Sequence, residues 1–179
     1  EELEEDTKPK LENITKEVVD YINEVEKETG KDIQVIAAGG IWDSTDIKKF
    51  LNLGASGVQM ATRFVATNEC DASIEFKKAY VNAKAEDIKI IDSPVGMPGR
   101  AICNSFIKRV EKDKCKIDKC YNCIKTCNVI DSTYCITKAL INSVKGQTED
   151  GLIFCGSNVS RIKEIVSVKD LMKELVCEL

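Results

Sequence analysis

The chain has 179 residues, of which 43% are hydrophobic and 31% are charged, and this balance is typical of a globular domain with its own core. Its net charge of -4 argues against nucleic acid as a partner, because there is no excess of Lys and Arg to neutralise phosphates. The apolar runs are strand-sized and fall short of the roughly 20 residues that span a bilayer, so no membrane partner is expected.

Nine cysteines and the absence of histidine are the unusual features of the composition. An odd number of thiols does not close into a full set of disulfides, and no secretory signal accompanies them. We therefore expect reduced thiols and a cytoplasmic location, with metal binding as one use of the thiols. A mechanism that needs an imidazole base must take it from residues outside this sequence.

The first half of the sequence predicts alternating helices and strands. Apolar residues at three- and four-residue steps predict an amphipathic helix over residues 11–29, and a β-branched run predicts a strand buried on both faces over 33–38. A capped helix over 43–53 leads to a short strand over 57–60. Two strands joined by one helix imply a parallel pair with a right-handed crossover.

The second half has a different character, with more turn residues and less regular periodicity. The stretch between Cys115 and Cys135 shows little periodic pattern. The remaining predicted elements are a helix near 70–85, an ordered loop at 92–100, helices over 101–110, 132–144 and 168–177, and extended chain over 152–155.

Two segments at the ends of the predicted strands suggest a phosphate site. Gly39-Gly40 ends the first strand, and adjacent glycines let backbone N–H groups approach an anion closely. The second strand ends at Gln59-Met60 and turns through Ala61-Thr62, which offers further N–H groups and a hydroxyl. In (β/α)₈ barrels the loops after the last two strands commonly hold a phosphate. Tight turning alone is the alternative explanation, and the spacing of the two loops favours the phosphate.

Four segments resemble consecutive parts of the nitronate monooxygenase family, also called 2-nitropropane dioxygenase-like proteins: VIAAGGI at 35–41, GASGVQMATRF at 54–64, ECDAS at 69–73 and SPVGMPGRA at 93–101. The flavin-type enoyl-acyl-carrier-protein reductases are close relatives of that family. The resemblance implies an α/β fold, the C-terminal part of a TIM (β/α)₈ FMN-binding barrel with a Cys-rich, mainly helical C-terminal segment. Residues 1–92 would form the last β/α units, and residues 93–179 would pack on the barrel.

The resemblance also implies which residues bind the cofactor. FMN phosphate would be held by backbone groups at six positions: Gly39, Gly40, Gln59, Met60, Ala61 and Thr62. The family usually has Gly where Ala61 stands, so Ala61 can supply its N–H there only if its φ is not positive.

A second implied site lies near the C-terminus. Phe154–Ile162 (FCGSNVSRI) resembles a family loop that approaches the flavin ring. Many relatives have Ser where Asn158 stands, and an amide that donates and accepts hydrogen bonds suits a substrate nitro or carbonyl group. The alternative is that Asn158 holds a turn before a helix.

The resemblance places the catalytic His of the family upstream of Glu1. The chain is therefore expected to be a fragment that is inactive alone and packs with the missing N-terminal part of the barrel, in a possible homo-oligomer. Three functions stay open: oxidation of alkyl nitronates with dioxygen, FMN- and NAD(P)H-dependent reduction of an enoyl thioester, and a non-catalytic metal-binding fragment.

The cysteine cluster supports the third function. Cys120, Cys123 and Cys127 would share one face of a helix, and a fourth thiolate would complete a site for zinc or an iron-sulfur cluster. Cys135 is preferred over Cys115 as the fourth ligand, because the helix after Cys135 can fix its position. The spacing matches neither the common zinc pattern nor the ferredoxin pattern, and packing of reduced thiols is the alternative.

Overall fold

The computed structural model describes residues 10–125, 127–177 and 179. They form an α/β fold with two compact units: the described residues up to Met60 together with Lys169–Leu179, and Ala61–Val168. The two predicted regions, residues 1–92 and 93–179, refer to the barrel of the family, and this division stays a prediction. Residues 1–9 of the first region lie outside the described residues. No helix in the described ranges combines the length and apolarity needed to cross a membrane.

The first unit is built on two parallel strands. Ile36 pairs with Gly57 and Ala38 pairs with Gln59, which confirms the parallel pair joined by one helix. The elements of this unit are α1 (Leu11–Thr29), β1 (Ile36–Ala38), α2 (Ser44–Asn52), β2 (Gly57–Gln59) and most of α7 (Val168–Val176).

Local signals fix the ends of the first two helices. Gly30 adopts φ 68°, and its N–H donates to the Glu26 carbonyl at 2.8 Å, which ends α1. Asp43 begins α2, because its carboxylate accepts from the Asp46 N–H at 3.0 Å. The Asp46 carboxylate accepts in turn from the Trp42 N–H at 2.8 Å. These side-chain bonds satisfy donors that a helix start otherwise leaves open.

The first strand differs from its prediction. It covers three residues, Ile36–Ala38, and only Ala37 is buried, whereas the Ile36 side chain is 54% exposed. Among the described residues β1 pairs with β2 alone, and no layer of these residues covers Ile36. The prediction of a strand buried on both faces is therefore wrong for this chain.

The second unit contains an antiparallel hairpin that the sequence reading did not predict. Ile88 pairs with Ile102 and Ile91 pairs with Gly99, so the predicted loop at 92–100 is mostly the hairpin connection. The elements of this unit are α3 (Thr62–Val65), α4 (Ile74–Asn82), β3 (Ile88–Ile91), β4 (Gly99–Ile102), α5 (Ser105–Val110) and α6 (Ile136–Val144), with single 3₁₀ turns at Ala85–Asp87, Thr148–Asp150 and Val159–Arg161.

The core of the second unit surrounds the extended segment predicted at 152–155. Leu152 and Ile153 are almost fully buried. The Leu152 N–H donates to the Ala139 carbonyl at 3.1 Å, and the Ile153 carbonyl accepts from the Ile102 N–H at 2.9 Å. The segment therefore lies between β4 and α6 as a single bridged strand rather than as part of a wider sheet.

We predict that Gly54→Ala destabilises the protein more than Gly30→Ala does. Gly54 has φ 97°, and a Cβ there would stand 2.7 Å from Val19 Cγ1. Gly30 also has positive φ, but in the described ranges only its chain neighbours come within 4 Å of the position of its Cβ. We expect Gly54→Ala to cost about 2 kcal/mol or more and Gly30→Ala about 1 kcal/mol in urea unfolding. Equal losses for the two variants would contradict the steric argument.

Candidate functional site

The pairing of β1 and β2 places their carboxyl ends at one edge of the sheet. Ala38 is the register partner of Gln59, so Gly39-Gly40 and Met60 leave the sheet side by side. Four of the six predicted phosphate-binding positions therefore lie together in the first unit. Ala61 and Thr62 follow Met60 directly in the chain.

Gly39 and Gly40 have the backbone geometry that the phosphate prediction requires. Their φ angles are 107° and 71°, a region that favours glycine. Apart from their chain neighbours, none of the described residues has an atom within 4 Å of the position that a Cβ would take on either glycine. Glycine is therefore needed here for the backbone conformation, and the space above both residues is open to an anion. The residues present fit a phosphate group.

The turn after β2 does not require glycine at Ala61. Ala61 has a negative φ of −127°, so alanine takes the place of the glycine usual in the family without adopting the left-handed conformation. Its carbonyl accepts from the Phe64 N–H at 2.9 Å and from the Val65 N–H at 3.2 Å, which starts α3. The sequence reading missed this helix, because four residues are too few to show a period.

The structure brings the C-terminal loop to this turn. The Gly156 N–H donates to Thr62 Oγ1 at 3.0 Å, across 94 residues of sequence. A Cβ on Gly156 would lie 2.5 Å from the same oxygen, so this close approach requires glycine. Thr62 and the segment Phe154–Ile162, which the sequence singled out separately, thus meet in the second unit.

Asn158 lies at the start of a turn within that loop. Its carbonyl accepts from the Arg161 N–H at 3.0 Å, and its own side chain does not cap the 3₁₀ turn Val159–Arg161. Ser157 is exposed and Asn158 is half-buried. The turn thus forms through the backbone of Asn158, and the role of its amide toward a substrate stays a prediction.

Tyr80 contacts the same loop and was missed by the sequence reading. It is 4% exposed, and its hydroxyl donates to the Phe154 carbonyl at 2.5 Å. Burial raises the pKa of Tyr80 well above its ordinary value, with further contributions from Cys155 and Cys70. The hydroxyl is therefore protonated at neutral pH and stays a donor. A tyrosine within a predicted helix gives no local signal of such a role.

Cys155 is a neutral thiol beside this hydrogen bond. Burial raises its pKa to about 11, and the positive charge of Arg100 offsets only part of that rise. A thiol with so high a pKa holds little thiolate at neutral pH, so Cys155 is not poised as a nucleophile.

The cysteine-rich segment is not helical. The described residues between 114 and 135 contain neither helix nor strand, so the argument from a shared helical face is wrong. Asn122 takes a left-handed conformation with φ 50°, which interrupts any helix, and its N–H donates to Cys120 Sγ at 3.4 Å.

The four thiols of the metal prediction nonetheless line one cavity. It has a volume of about 220 Å³, and Cys120, Cys123, Cys127 and Cys135 are among its lining residues. Cys115 lines a different cavity. Within the described residues, no three Cys, Asp, Glu or His side chains are arranged to hold a metal ion. The structure therefore does not support zinc or an iron-sulfur cluster, and the metal site stays a prediction.

Metal analysis of anaerobically purified protein tests that prediction. If the four thiols bind one ion, the parent protein should contain about one equivalent of zinc or one iron-sulfur cluster, and Cys123→Ala should lose it. Cys177→Ala is the control, because Cys177 is also an exposed free thiol but lies outside the segment. Clearly substoichiometric metal in the parent protein would contradict the prediction.

Comparison with known proteins identifies similar sequences. The model of a family described as nitronate monooxygenase matches residues 3–178. A probable nitronate monooxygenase from Staphylococcus saprophyticus is 35% identical over 100 residues, which cover 56% of this chain and 26% of that protein. A protein of the same description from Staphylococcus aureus strain Newman is 39% identical over 80 residues, covering 45% of this chain and 22% of the relative.

Solved structures share the fold. FabK from Thermotoga maritima matches with a TM-score of 0.65 and 28% identity, over 88% of this chain and 47% of that one. Nitroalkane oxidase from Streptomyces ansochromogenes matches with a TM-score of 0.64 and 21% identity, over 94% of this chain and 43% of that one, and shows the fold alone. The chain thus spans less than half the length of these proteins.

Proposed function

We propose that this chain, which belongs to the nitronate monooxygenase family, supplies the FMN-phosphate-binding part of an enzyme that oxidises alkyl nitronates with dioxygen. That family is one of flavin-dependent oxidoreductases. The observation that carries the proposal is the pair of glycines with positive φ and open space above them, beside the carboxyl end of β2.

The proposed phosphate site uses the backbone rather than charged side chains. Gly39, Gly40, Gln59 and Met60 lie at the paired strand ends, and Ala61 and Thr62 continue from them in the chain. Backbone N–H groups at such ends bind anions by hydrogen bonding. The Thr62 hydroxyl, which accepts from Gly156, can still donate its own proton to a phosphate oxygen.

The reaction itself depends on the flavin. When bound, FMN would take electrons from the nitronate and pass them to dioxygen. This chain's share would be to hold the cofactor and to present Ser157 and Asn158 to the substrate. An imidazole base would have to come from the N-terminal part of the enzyme, since this chain contains no histidine.

We further propose that the chain completes a (β/α)₈ barrel with that N-terminal part. Among the described residues each strand of the parallel pair has one neighbour, so β1 and β2 each offer an outer edge to another strand. Exposed strand edges and apolar side chains such as Ile36 favour association.

Residues 1–179 expressed alone should therefore associate with one another or with a separately supplied N-terminal part. Analytical ultracentrifugation should detect dimers or larger species, and calorimetry should show no single cooperative transition. A monodisperse monomer that unfolds cooperatively would contradict this expectation.

The cofactor assignment is tested by Gly40→Val in the whole enzyme. The valine side chain would fill the open space above Gly40, so the purified variant should lose most of its bound FMN, measured by absorbance near 450 nm. Gly30→Val is the matched control, because Gly30 has nearly the same φ and equally open surroundings but lies at the end of α1. Full flavin content in Gly40→Val, or equal losses in both variants, would overturn the assignment.

Reduction of an enoyl thioester with NAD(P)H is the alternative reaction, since the flavin-type enoyl-acyl-carrier-protein reductases are close relatives of the family that the sequence resembles. Two assays on the same flavin-loaded enzyme separate the reactions. Oxygen consumption with an alkyl nitronate supports the monooxygenase, and oxidation of NAD(P)H that depends on an enoyl thioester supports the reductase.

A further inference from the structure

Three consecutive residues of the C-terminal loop are held by three different elements. The Phe154 carbonyl accepts from the Tyr80 hydroxyl of α4, and the Cys155 N–H donates to the Arg100 carbonyl of β4 at 2.9 Å. The Gly156 N–H donates to Thr62 at the start of α3. The path of the chain is therefore fixed immediately before Ser157 and Asn158.

One of these bonds, from Cys155 to Arg100, joins two backbone groups, whereas the bonds that involve Tyr80 and Thr62 each depend on one side-chain hydroxyl. Thr62 also belongs to the proposed phosphate site, so Tyr80 is the hydroxyl whose effect on the loop can be tested separately from the cofactor. Tyr80 is buried, and its ring lies 5.4 Å from that of Phe76, so the aromatic ring is held in place independently of the hydroxyl. A buried hydroxyl without a partner costs stability, which keeps this bond formed in the folded protein.

We propose that Tyr80 is a positioning residue. It would not contact the substrate, but its hydrogen bond to the Phe154 carbonyl fixes the path of the loop that presents Ser157 and Asn158. The inference rests on the proposed function, because it gives those two residues a substrate to orient. Removing the hydroxyl leaves the Phe154 carbonyl without its donor and lets the loop shift relative to Thr62. The loss of the hydroxyl should therefore weaken substrate binding more than cofactor binding.

Tyr80→Phe in the whole, flavin-loaded enzyme is the test, because it removes the hydroxyl and keeps the ring. Loss of one hydrogen bond corresponds to a change of roughly 3- to 10-fold. We expect KM for an alkyl nitronate to rise by about that factor, with kcat and FMN affinity within about twofold of the parent enzyme. Tyr21→Phe is the control, since Tyr21 is 65% exposed on α1.

A second readout needs no substrate and follows the loop directly. Cys155 is half-buried, so alkylation of its thiol by iodoacetamide at pH 8 should be slow in the parent protein. A loosened loop should make this labelling at least threefold faster in Tyr80→Phe, measured by mass spectrometry of the peptide. The exposed thiol of Cys177 serves as the internal reference.

The two readouts separate failure of this inference from failure of the proposed function. Unchanged labelling of Cys155, or faster labelling with an unchanged KM, overturns the role of Tyr80. A parent enzyme that does not oxidise nitronates overturns the proposed function instead, and the labelling rates then decide alone whether Tyr80 holds the loop. A rise in KM together with faster labelling supports the inference.

Discussion

The segment from Leu152 to Gly156, whose first two residues are buried, organises the second unit, because buried backbone polar groups need hydrogen-bond partners. Leu152 and Ile153 have almost no exposure to water, so their N–H and C=O groups cannot be satisfied by solvent. Each element that supplies a hydrogen-bond partner therefore packs next to this segment. The partners are the carbonyls of Ala139 and Arg100, the N–H of Ile102, and the hydroxyls of Ser143, Tyr80 and Thr62.

The first unit obeys a simpler constraint, the register of two three-residue strands. Such short strands contribute few hydrogen bonds, and helix packing must hold them in place, as Val19 of α1 does against Gly54. Register then fixes the position of the backbone at both strand ends. A site made of backbone N–H groups depends on this register and on φ angles, and it tolerates a change of side chain only where φ is negative. Ala61 illustrates the point, since its φ of −127° suits alanine as well as glycine.

Sequence reasoning succeeded where the signal is local. The period of α1 and Gly30 give its bounds, and the parallel pair follows from two predicted strands, the first of them rich in β-branched residues, joined by one helix. It failed where the determinant is distant. The hydrogen bond from Tyr80 to Phe154 spans 74 residues and leaves no pattern in the chain. The hairpin of β3 and β4 was hidden by its connection rich in Pro and Gly, and the helical face proposed for the cysteines ignored the left-handed conformation of Asn122.

In the proposed site the cofactor is bound by backbone groups and the substrate by side chains, and these two kinds of contact differ in how far their residues can be substituted. In the proposed site, phosphate binding through the backbone at Gly39 and Gly40 would depend on their positive φ, so a side chain at either position would act on the cofactor. Ser157 and Asn158 would instead act through their side chains, on a loop whose path is set by bonds made before them. Substrate preference can then change at those two positions without disturbing either the cofactor site or the bonds that hold the loop. In the proposed site, such a separation would let one flavin-binding framework serve nitro and carbonyl substrates, which both offer oxygen acceptors to an amide or hydroxyl donor.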